Sequence, residues 1–273
     1  MKKFFKHYGG FWLLLVSAFV IFAVLSATGP YTIMDHELKS SKIWPTLTAS
    51  AAENPLTSEL VPGSPEAEAF MKSFVEAKVK PIETDTLPKT ILFFGDSMLD
   101  GLYPRLAAYA DENGHTLYAV IWYSSTSEVW GKSTRLKEYI NQLNPDFIFV
   151  SLGANELFVK DIIEKRDKYV KKIIADIGDI PYVWIGPPNW KEDTGINTLI
   201  AQNAGPRHFF LTNGMQFPRM KDGAHPTHEA AIGWMDSVVR WMPTHSDHPI
   251  RMNTPSKKKS RAKKVFVHSP SEK

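Results

Sequence analysis

From Thr90 onward the chain alternates short apolar runs with longer amphipathic ones, and this alternation restricts its fold more than any other feature. The apolar runs are predicted strands at residues 90–94, 117–122, 147–152, 182–185 and 208–211. The amphipathic runs are predicted helices at residues 99–112, 129–143, 159–177, 196–203 and 227–241. Uninterrupted apolar runs are typical of strands buried on both faces, and strand–helix repetition requires parallel pairing through right-handed crossovers. The prediction is a flavodoxin-like three-layer α/β/α sandwich with a five-stranded parallel sheet.

An apolar segment near the N-terminus predicts a membrane anchor or a signal within residues 1–28. Residues 11–27, seventeen in all, are apolar apart from two serines and follow Lys2, Lys3 and Lys6. A helix of that length spans roughly 26 Å, enough for a bilayer core, and the basic flank predicts a cytoplasmic N-terminus. A cleavage site would need small residues at both of its positions, and Leu25 occupies the first, so a retained single-pass transmembrane helix is favoured over a cleaved signal.

The rest of the chain divides into three segments by composition. Residues 29–88 are rich in Pro, Ser, Thr and Glu, which predicts a stalk or linker with one short helix at residues 64–79. Residues 89–245 form the α/β domain, and residues 246–273 a basic tail that is predicted to be disordered. Binding of an acidic envelope polymer or a lipid surface by this tail is an open alternative.

The charges lie mainly at the two ends of the chain. Arg251 to Lys273 holds eight Lys or Arg against one Glu, whereas residues 7–250 carry 21 basic and 28 acidic side chains. The folded part therefore lacks the basic excess that nucleic-acid binding needs, and no nucleic-acid partner is expected. Since the chain contains no cysteine, disulfides and a lipidated cysteine are both excluded.

Reactive side chains follow the predicted strands at the edge where parallel sheets bind their ligands. Asp96 and Ser97 follow the first strand, Asn155 the third, and Asp222 and His225 precede the last helix. A serine hydroxyl needs a base to become a nucleophile, and an acid three residues before a histidine can hold that base in the correct tautomer. The pattern predicts a Ser97–His225–Asp222 triad. Its oxyanion donors would be the Ser97 N–H, the Asn155 amide and a backbone N–H for which Ser127 is the candidate.

Three short motifs resemble those of a known enzyme family. Residues 95–97 (GDS), 153–156 (GANE) and 222–225 (DGAH) resemble blocks I, III and V of the SGNH (GDSL-like) hydrolases, and the resemblance covers residues 91–241. It implies the family's three-layer fold and the roles already assigned from chemistry: Ser97 as nucleophile, His225 as base, Asp222 as its partner and Asn155 as an oxyanion donor.

The chain departs from the family pattern at two places. Glu156 stands where the third block usually has aspartate. The glycine that block II normally supplies to the oxyanion hole is missing, so Ser127 or Gly131 would have to replace it.

Other residues near the same edge have two interpretations. His228 is either an alternative general base or a surface residue. His225 and His228 could together bind a metal ion, but no third ligand is present in the sequence, so we expect no metal and no cofactor. Asp96 is expected to brace its turn. Trp190 and Tyr123 are candidate substrate-binding residues that stack on sugar rings, or core aromatics.

These observations predict an exported serine esterase on the periplasmic side of a bacterial inner membrane. It would remove O-acyl groups, most simply O-acetyl, from a cell-envelope or extracellular polysaccharide through an acyl-Ser97 intermediate. A polysaccharide O-acyltransferase that uses the same triad, with an integral membrane acyltransferase as partner, is the first alternative. A non-catalytic polysaccharide-binding or assembly module is the second. A flavodoxin-like nucleotide binder is disfavoured because the first loop has no glycine-rich phosphate cradle.

Overall fold

The computed structural model describes residues 31–33, 36–38, 63–76, 82–212 and 214–272, and the chain divides into two compact units. The first, Met1–Ser58, contains an antiparallel strand pair, β1 (Tyr31–Ile33) and β2 (His36–Leu38). The apolar segment at residues 11–27 and much of the predicted stalk lie outside the described residues. Within the part of the chain that is described, no helix combines the length and apolarity needed to cross a bilayer.

The second unit, Glu59–Lys273, contains the α/β domain. Its helices are α1 (Pro65–Glu76), α2 (Leu99–Asn113), α3 (Ser127–Lys132), α4 (Arg135–Leu143), α5 (Ile162–Ile177), α6 (Ile196–Ala204) and α7 (His228–His245). Its strands are β3 (Thr90–Gly95), β4 (Thr116–Trp122), β5 (Phe147–Ser151), β6 (Tyr182–Ile185), β7 (Phe209–Phe210) and β8 (Lys264–His268). A short 3₁₀ turn at Pro270–Glu272 follows β8.

The sheet has six parallel strands in the order β7-β6-β5-β3-β4-β8, so the prediction of five strands is wrong by one. The additional strand comes from the tail that was predicted to be disordered. β8 pairs with the edge of β4, from Tyr118 opposite Lys264 to Trp122 opposite His268. Pairing satisfies backbone groups that an exposed β4 edge would leave open, which offsets the entropy of ordering a basic segment.

The predicted three-layer arrangement is confirmed by the side chains of β3, which alternate between two buried cores. Leu92 and Phe94 pack into the core formed with α1, α3, α4, α5 and α6, whereas Ile91 and Phe93 face the core formed with α2 and α7. All four side chains are fully buried. A strand buried on both faces reads as a continuous apolar run, which is why the sequence located β3 correctly.

Three helices differ from their predicted bounds, and one of them, predicted at 227–241, continues to His245 as α7. The helix predicted at 129–143 is divided into α3 and α4, because Ser133 adopts an extended conformation between them. The helix predicted from residue 159 begins at Ile162, after Asp161 in the left-handed region.

The helix predicted within the stalk is present as α1. The Ser64 hydroxyl accepts the Ala67 N–H at 3.1 Å, as expected for an N-cap. The ring of Phe74 meets Phe209 edge-on at 5.8 Å, so α1 is part of the folded unit.

Candidate active site

Ser97 lies in a tight turn between β3 and α2. Gly95 is required there, because a Cβ at that position would lie 1.8 Å from the carbonyl oxygen of Ser151 on β5. The carboxylate of Asp96 accepts the Met98 N–H at 2.9 Å and the Ala154 N–H at 3.3 Å. The turn that presents Ser97 is therefore fixed to the loop after β5, as expected for a brace.

Asp96 is completely buried, and this burial raises the pKa of its carboxyl group to about 7. The two amide hydrogen bonds act in the opposite direction because they favour the charged form. The brace therefore titrates in the neutral range, which its sequence context did not suggest.

The predicted triad assembles in the structure. Nε2 of His225 lies 2.8 Å from Oγ of Ser97, and Nδ1 of the same ring lies 2.8 Å from Oδ2 of Asp222. The serine and the histidine are separated by 128 residues in the chain. When Nδ1 donates to the carboxylate, Nε2 is left as the acceptor for the serine proton, which is the arrangement required of a general base.

The loop between β7 and α7 holds Asp222 ready for this role. Oδ1 of Asp222 accepts the backbone N–H groups of Ala224 and His225, both at 2.9 Å, and Gly223 makes the turn with a positive φ of 72°. The His225 backbone N–H makes the largest contribution in lowering the pKa of Asp222 to about 2. The carboxylate therefore stays ionised and available to the imidazole.

Arg219 fixes this loop, and the sequence analysis did not identify it. One guanidinium nitrogen donates to the carbonyl oxygen of Ala224 at 2.7 Å, and another donates to that of Asn189 at 3.1 Å. Partial burial lowers the pKa of Arg219 from its ordinary value. Because both acceptors are backbone carbonyls of any residue type, no sequence signal could have revealed the role.

The two other predicted oxyanion donors are the Ser97 N–H, which belongs to the lining of a cleft, and the Asn155 amide, which lies outside the described lining of that cleft. β3 and β5 are neighbours with Gly95 opposite Ser151, so both residues follow adjacent strand ends. One N–H of the Asn155 amide donates to the carbonyl oxygen of Ser125 at 2.9 Å, which fixes the side chain and leaves its second N–H for a ligand. The Ser97 N–H has no acceptor among the described residues.

Ser127 is not an oxyanion donor, which corrects the prediction from the sequence. Its N–H and its hydroxyl donate to the two oxygens of Glu156, each at 2.8 Å, and the residue is buried. Gly131 does not replace it, since it lies within α3 against Tyr169. The carboxylate of Glu156 therefore accepts both the backbone N–H and the hydroxyl proton of Ser127.

Ser124 is the residue that the sequence analysis missed. It follows β4 with a positive φ of 57°, and it lines the same cleft as Ser97. The Tyr123 N–H donates to the carbonyl oxygen of His268, and the Ser125 N–H donates to that of Trp122. The Ser124 N–H has no acceptor among the described residues. A left-handed conformation is uncommon for a residue other than glycine, and nothing in the sequence marks Ser124 for it.

The triad opens into a cleft of about 360 Å³. Its lining includes Tyr123, Met98, Met220 and Trp234, together with the carboxylates of Asp100 and Asp222. His228 also lines the cleft, but the hydrogen bond to Ser97 comes from His225. Burial is the main cause that raises the pKa of Tyr123.

Trp190 is not among the described residues that line this cleft. Its indole N–H donates to the carbonyl oxygen of Ala154 at 3.0 Å, and its ring meets Phe158 edge-on. Tyr123 therefore lines the cleft, whereas Trp190 supports the loop that carries Asn155.

The fold and the triad define a serine-nucleophile site on a three-layer α/β sandwich. No protein-family model and no curated protein sequence matches the chain. Among solved structures it is similar to the psychrotrophic esterase EstA from Pseudoalteromonas sp., at 17% identity and a TM-score of 0.42 over 56% of this chain and 98% of that one. It is also similar to TesA (19%, 0.41, over 55% and 95%) and to the salicylyl-acyltransferase SsfX3 from a tetracycline biosynthetic pathway (16%, 0.41, over 59% and 56%). At these identities and TM-scores, the assignment of function depends on the contacts around Ser97.

Proposed function

We propose that the protein is a serine ester hydrolase of the SGNH type that acts through an acyl-Ser97 intermediate. The observation that carries this proposal is the continuous relay of two 2.8 Å contacts from Ser97 through His225 to Asp222. A buried serine N-cap or a structural histidine would not need both contacts at the mouth of a cleft.

In the first half of the reaction, Nε2 of His225 takes the proton of Ser97 while Oγ attacks the ester carbonyl. The ionised Asp222 stabilises the imidazolium that forms. His225 then passes the proton to the leaving alcohol, and the acyl group remains on Ser97. In the second half, His225 takes a proton from water, the hydroxide attacks the acyl carbonyl, and Ser97 recovers its proton as the acid leaves.

The negative charge that develops on the carbonyl oxygen needs hydrogen-bond donors. We assign this role to the N–H groups of Ser97 and Ser124 and to the second N–H of the Asn155 amide. Loss of one such donor typically lowers the rate by about 10²- to 10³-fold.

The proposed substrate is an acylated carbohydrate, most simply an O-acetylated polysaccharide of the envelope. Support comes from the open cleft beside Tyr123, whose ring can stack on a sugar. Transfer of the acyl group to a sugar hydroxyl instead of water would use the same intermediate, so product analysis with and without an acceptor glycan separates esterase from transferase.

The experiment that tests the proposal is mass spectrometry of the intact protein after incubation with a fluorophosphonate and with p-nitrophenyl acetate. We expect one adduct on Ser97 and ester hydrolysis, both lost in Ser97→Ala. Ser124→Gly is the matched control, because it removes a hydroxyl from the same cleft and keeps the backbone N–H. Equal labelling of wild type and Ser97→Ala would contradict the proposal.

We also propose that the domain is exported and anchored in a bacterial inner membrane, with the site in the periplasm. The support is the apolar segment at residues 11–27 behind three lysines and the absence of cysteine. Protease treatment of intact spheroplasts tests it: digestion of the domain from outside is expected, and protection would overturn the orientation.

A further inference from the structure

The basic segment at residues 257–264, here called the basic strip, is fixed on the surface of the domain. Arg105, only 6% exposed, donates to the carbonyl oxygens of Lys257 at 2.9 Å and Lys258 at 3.4 Å, and Asp236 holds its Nε at 2.6 Å. The Ser260 N–H donates to the carbonyl oxygen of Pro104 at 2.8 Å. The guanidinium of a buried arginine thus binds the backbone of this segment, and the basic side chains of the segment remain exposed.

The strip presents six exposed cations: Lys257, Lys258, Lys259, Arg261, Lys263 and Lys264. Nearby acidic groups are fewer. Glu229 pairs with Lys258 at 3.3 Å, Asp111 bonds the Ser260 hydroxyl, and Glu112 bonds Ser256. Holding like charges close together on a surface is unfavourable unless an anion neutralises them, so the strip has the electrostatics of a binding surface.

The strip lies next to the cleft that contains Ser97. Pro104 is one turn of α2 from Asp100, a cleft residue, which corresponds to about 6 Å along the helix. Glu229, the partner of Lys258, follows the cleft residue His228. A polymer bound at Lys258 and Ser260 would therefore lie close to the cleft.

We infer that the basic strip binds an acidic polysaccharide and guides its acylated units to Ser97, an inference that rests on the proposed esterase function. The strip is bent, because Ser260 bonds to Pro104 near the start of α2 whereas Lys263 bonds to Leu117 near the start of β4. Its cations therefore form a cluster that can contact several anionic groups of one polymer. It contains no large apolar side chain to insert into a bilayer, which disfavours a lipid surface.

The charges inside the cleft specify the unit that enters it. Asp100 and Asp222 contribute carboxylates, and its described lining contains no Lys or Arg. An anionic sugar would be repelled there. The unit in the cleft is therefore neutral and esterified, while neighbouring anionic units of the same polymer contact the strip.

The test compares two triple variants with equal changes of net charge. The strip variant is Lys257→Gln, Lys259→Gln and Arg261→Gln. The control variant replaces exposed cations on other helices: Lys72→Gln, Lys168→Gln and Arg240→Gln. The substrates are p-nitrophenyl acetate, O-acetylated xylan as a neutral polymer, and O-acetylated glucuronoxylan as an acidic one, at low and high salt. The acetylated xylose units of glucuronoxylan are neutral, and its glucuronate units are anionic.

For the strip variant we expect an increase of about tenfold in KM for the acidic polymer at low salt, and little change for the other two substrates. High salt should remove the difference. Equal KM values for the strip and control variants on the acidic polymer would overturn the inference, as would weaker binding to phosphatidylglycerol vesicles without a change in KM.

A binding measurement separates failure of this inference from failure of the esterase proposal. Affinity electrophoresis in unacetylated polygalacturonate requires no catalysis. If the wild type and the control variant are retarded and the strip variant is not, the strip binds the acidic polysaccharide, even if no ester is hydrolysed. Equal mobility of all three would overturn it even if Ser97 were catalytic.

Discussion

At the scale of single residues, the carboxylate of Glu156 joins the loops that follow β4 and β5. It is fully buried and accepts two hydrogen bonds from Ser127 and one from Nε of Arg166 at 2.8 Å. Burial raises its pKa, against the effect of these donors. Since Asn155 also donates to the carbonyl oxygen of Ser125, two neighbouring contacts hold together the two loops that carry the proposed oxyanion donors.

We therefore predict that Glu156→Gln weakens both stability and catalysis. The amide cannot accept from every donor, so one buried group loses its partner, and the free energy of unfolding should fall by about 2 kcal/mol. Displacement of the donors should lower kcat by about 10- to 100-fold with little change in KM. Urea unfolding and ester kinetics measure both effects.

Glu128→Gln is the control for this prediction. Glu128 pairs with the same Arg166 but is partly exposed, so its replacement should change stability by only about 0.5 kcal/mol and leave kcat near the wild-type value. Equal effects of the two substitutions would show that the burial of Glu156 has no special role.

Asp96 predicts an unusual pH dependence of stability. Its pKa in the folded protein is about 7, above its ordinary value near 4, so the folded state binds this proton more tightly than the unfolded state. The free energy of unfolding must then decrease as the pH rises from about 4 to about 7. Asp96→Asn removes this contribution.

Urea unfolding of the wild type and of Asp96→Asn at pH 5 and pH 8 tests this. The wild type should lose about 3 kcal/mol more than the variant over this range, whatever the variant's stability at a single pH. Identical pH dependence in both proteins would place the titration elsewhere.

The site residues that chemistry demands were predictable from sequence, and those that only support them were not. Ser97, His225 and Asp222 were found because nucleophile, base and orienter are restricted to a few residue types. Arg219 bonds only to backbone carbonyls, so nothing in the sequence marks it. Ser127 was misassigned because its partner, Glu156, lies 29 residues away in the chain.

At the scale of secondary-structure elements, the strands buried on both faces were the predictable ones. β8 was missed because its sequence, KVFVH, is short, lies at the sheet edge and follows a run of lysines. Its function is to cover β4. The Trp122 indole donates to the Ser269 carbonyl at 3.1 Å, and the Tyr139 hydroxyl contacts His268 at 2.7 Å.

Deletion of residues 263–273 should therefore destabilise the domain. It uncovers Trp122 and Tyr139 and exposes the β4 edge, so we expect a loss of about 3 kcal/mol and a tendency to aggregate. Deletion of residues 271–273 alone keeps the strand and the Ser269 carbonyl and should be nearly neutral. Thermal unfolding and size-exclusion chromatography measure both outcomes, and equal stability of the two truncations would refute a structural role for β8.

At the scale of the whole molecule, the chain divides into an α/β unit that carries the triad and an N-terminal unit. The triad, the oxyanion candidates and the basic strip all belong to the unit Glu59–Lys273. The sequence indicated the layered sandwich because strand and helix periodicities alternate over its length. The sequence did not indicate that α1 packs on the domain, because the apolar face of an amphipathic helix does not identify the surface that it contacts.

A chain that starts at residue 59 should fold by itself, unfold in a single transition and hydrolyse p-nitrophenyl acetate as fast as the full protein. A chain that starts at residue 82 lacks α1 and leaves Phe209 without the ring of Phe74, so it should be about 3 kcal/mol less stable. Phe74→Ala in the chain that starts at residue 59 provides the matched comparison. If that substitution accounts for most of the loss, α1 stabilises the domain mainly through this aromatic contact. Failure of the chain that starts at residue 59 to fold would show instead that residues 1–58 belong to the cooperative unit.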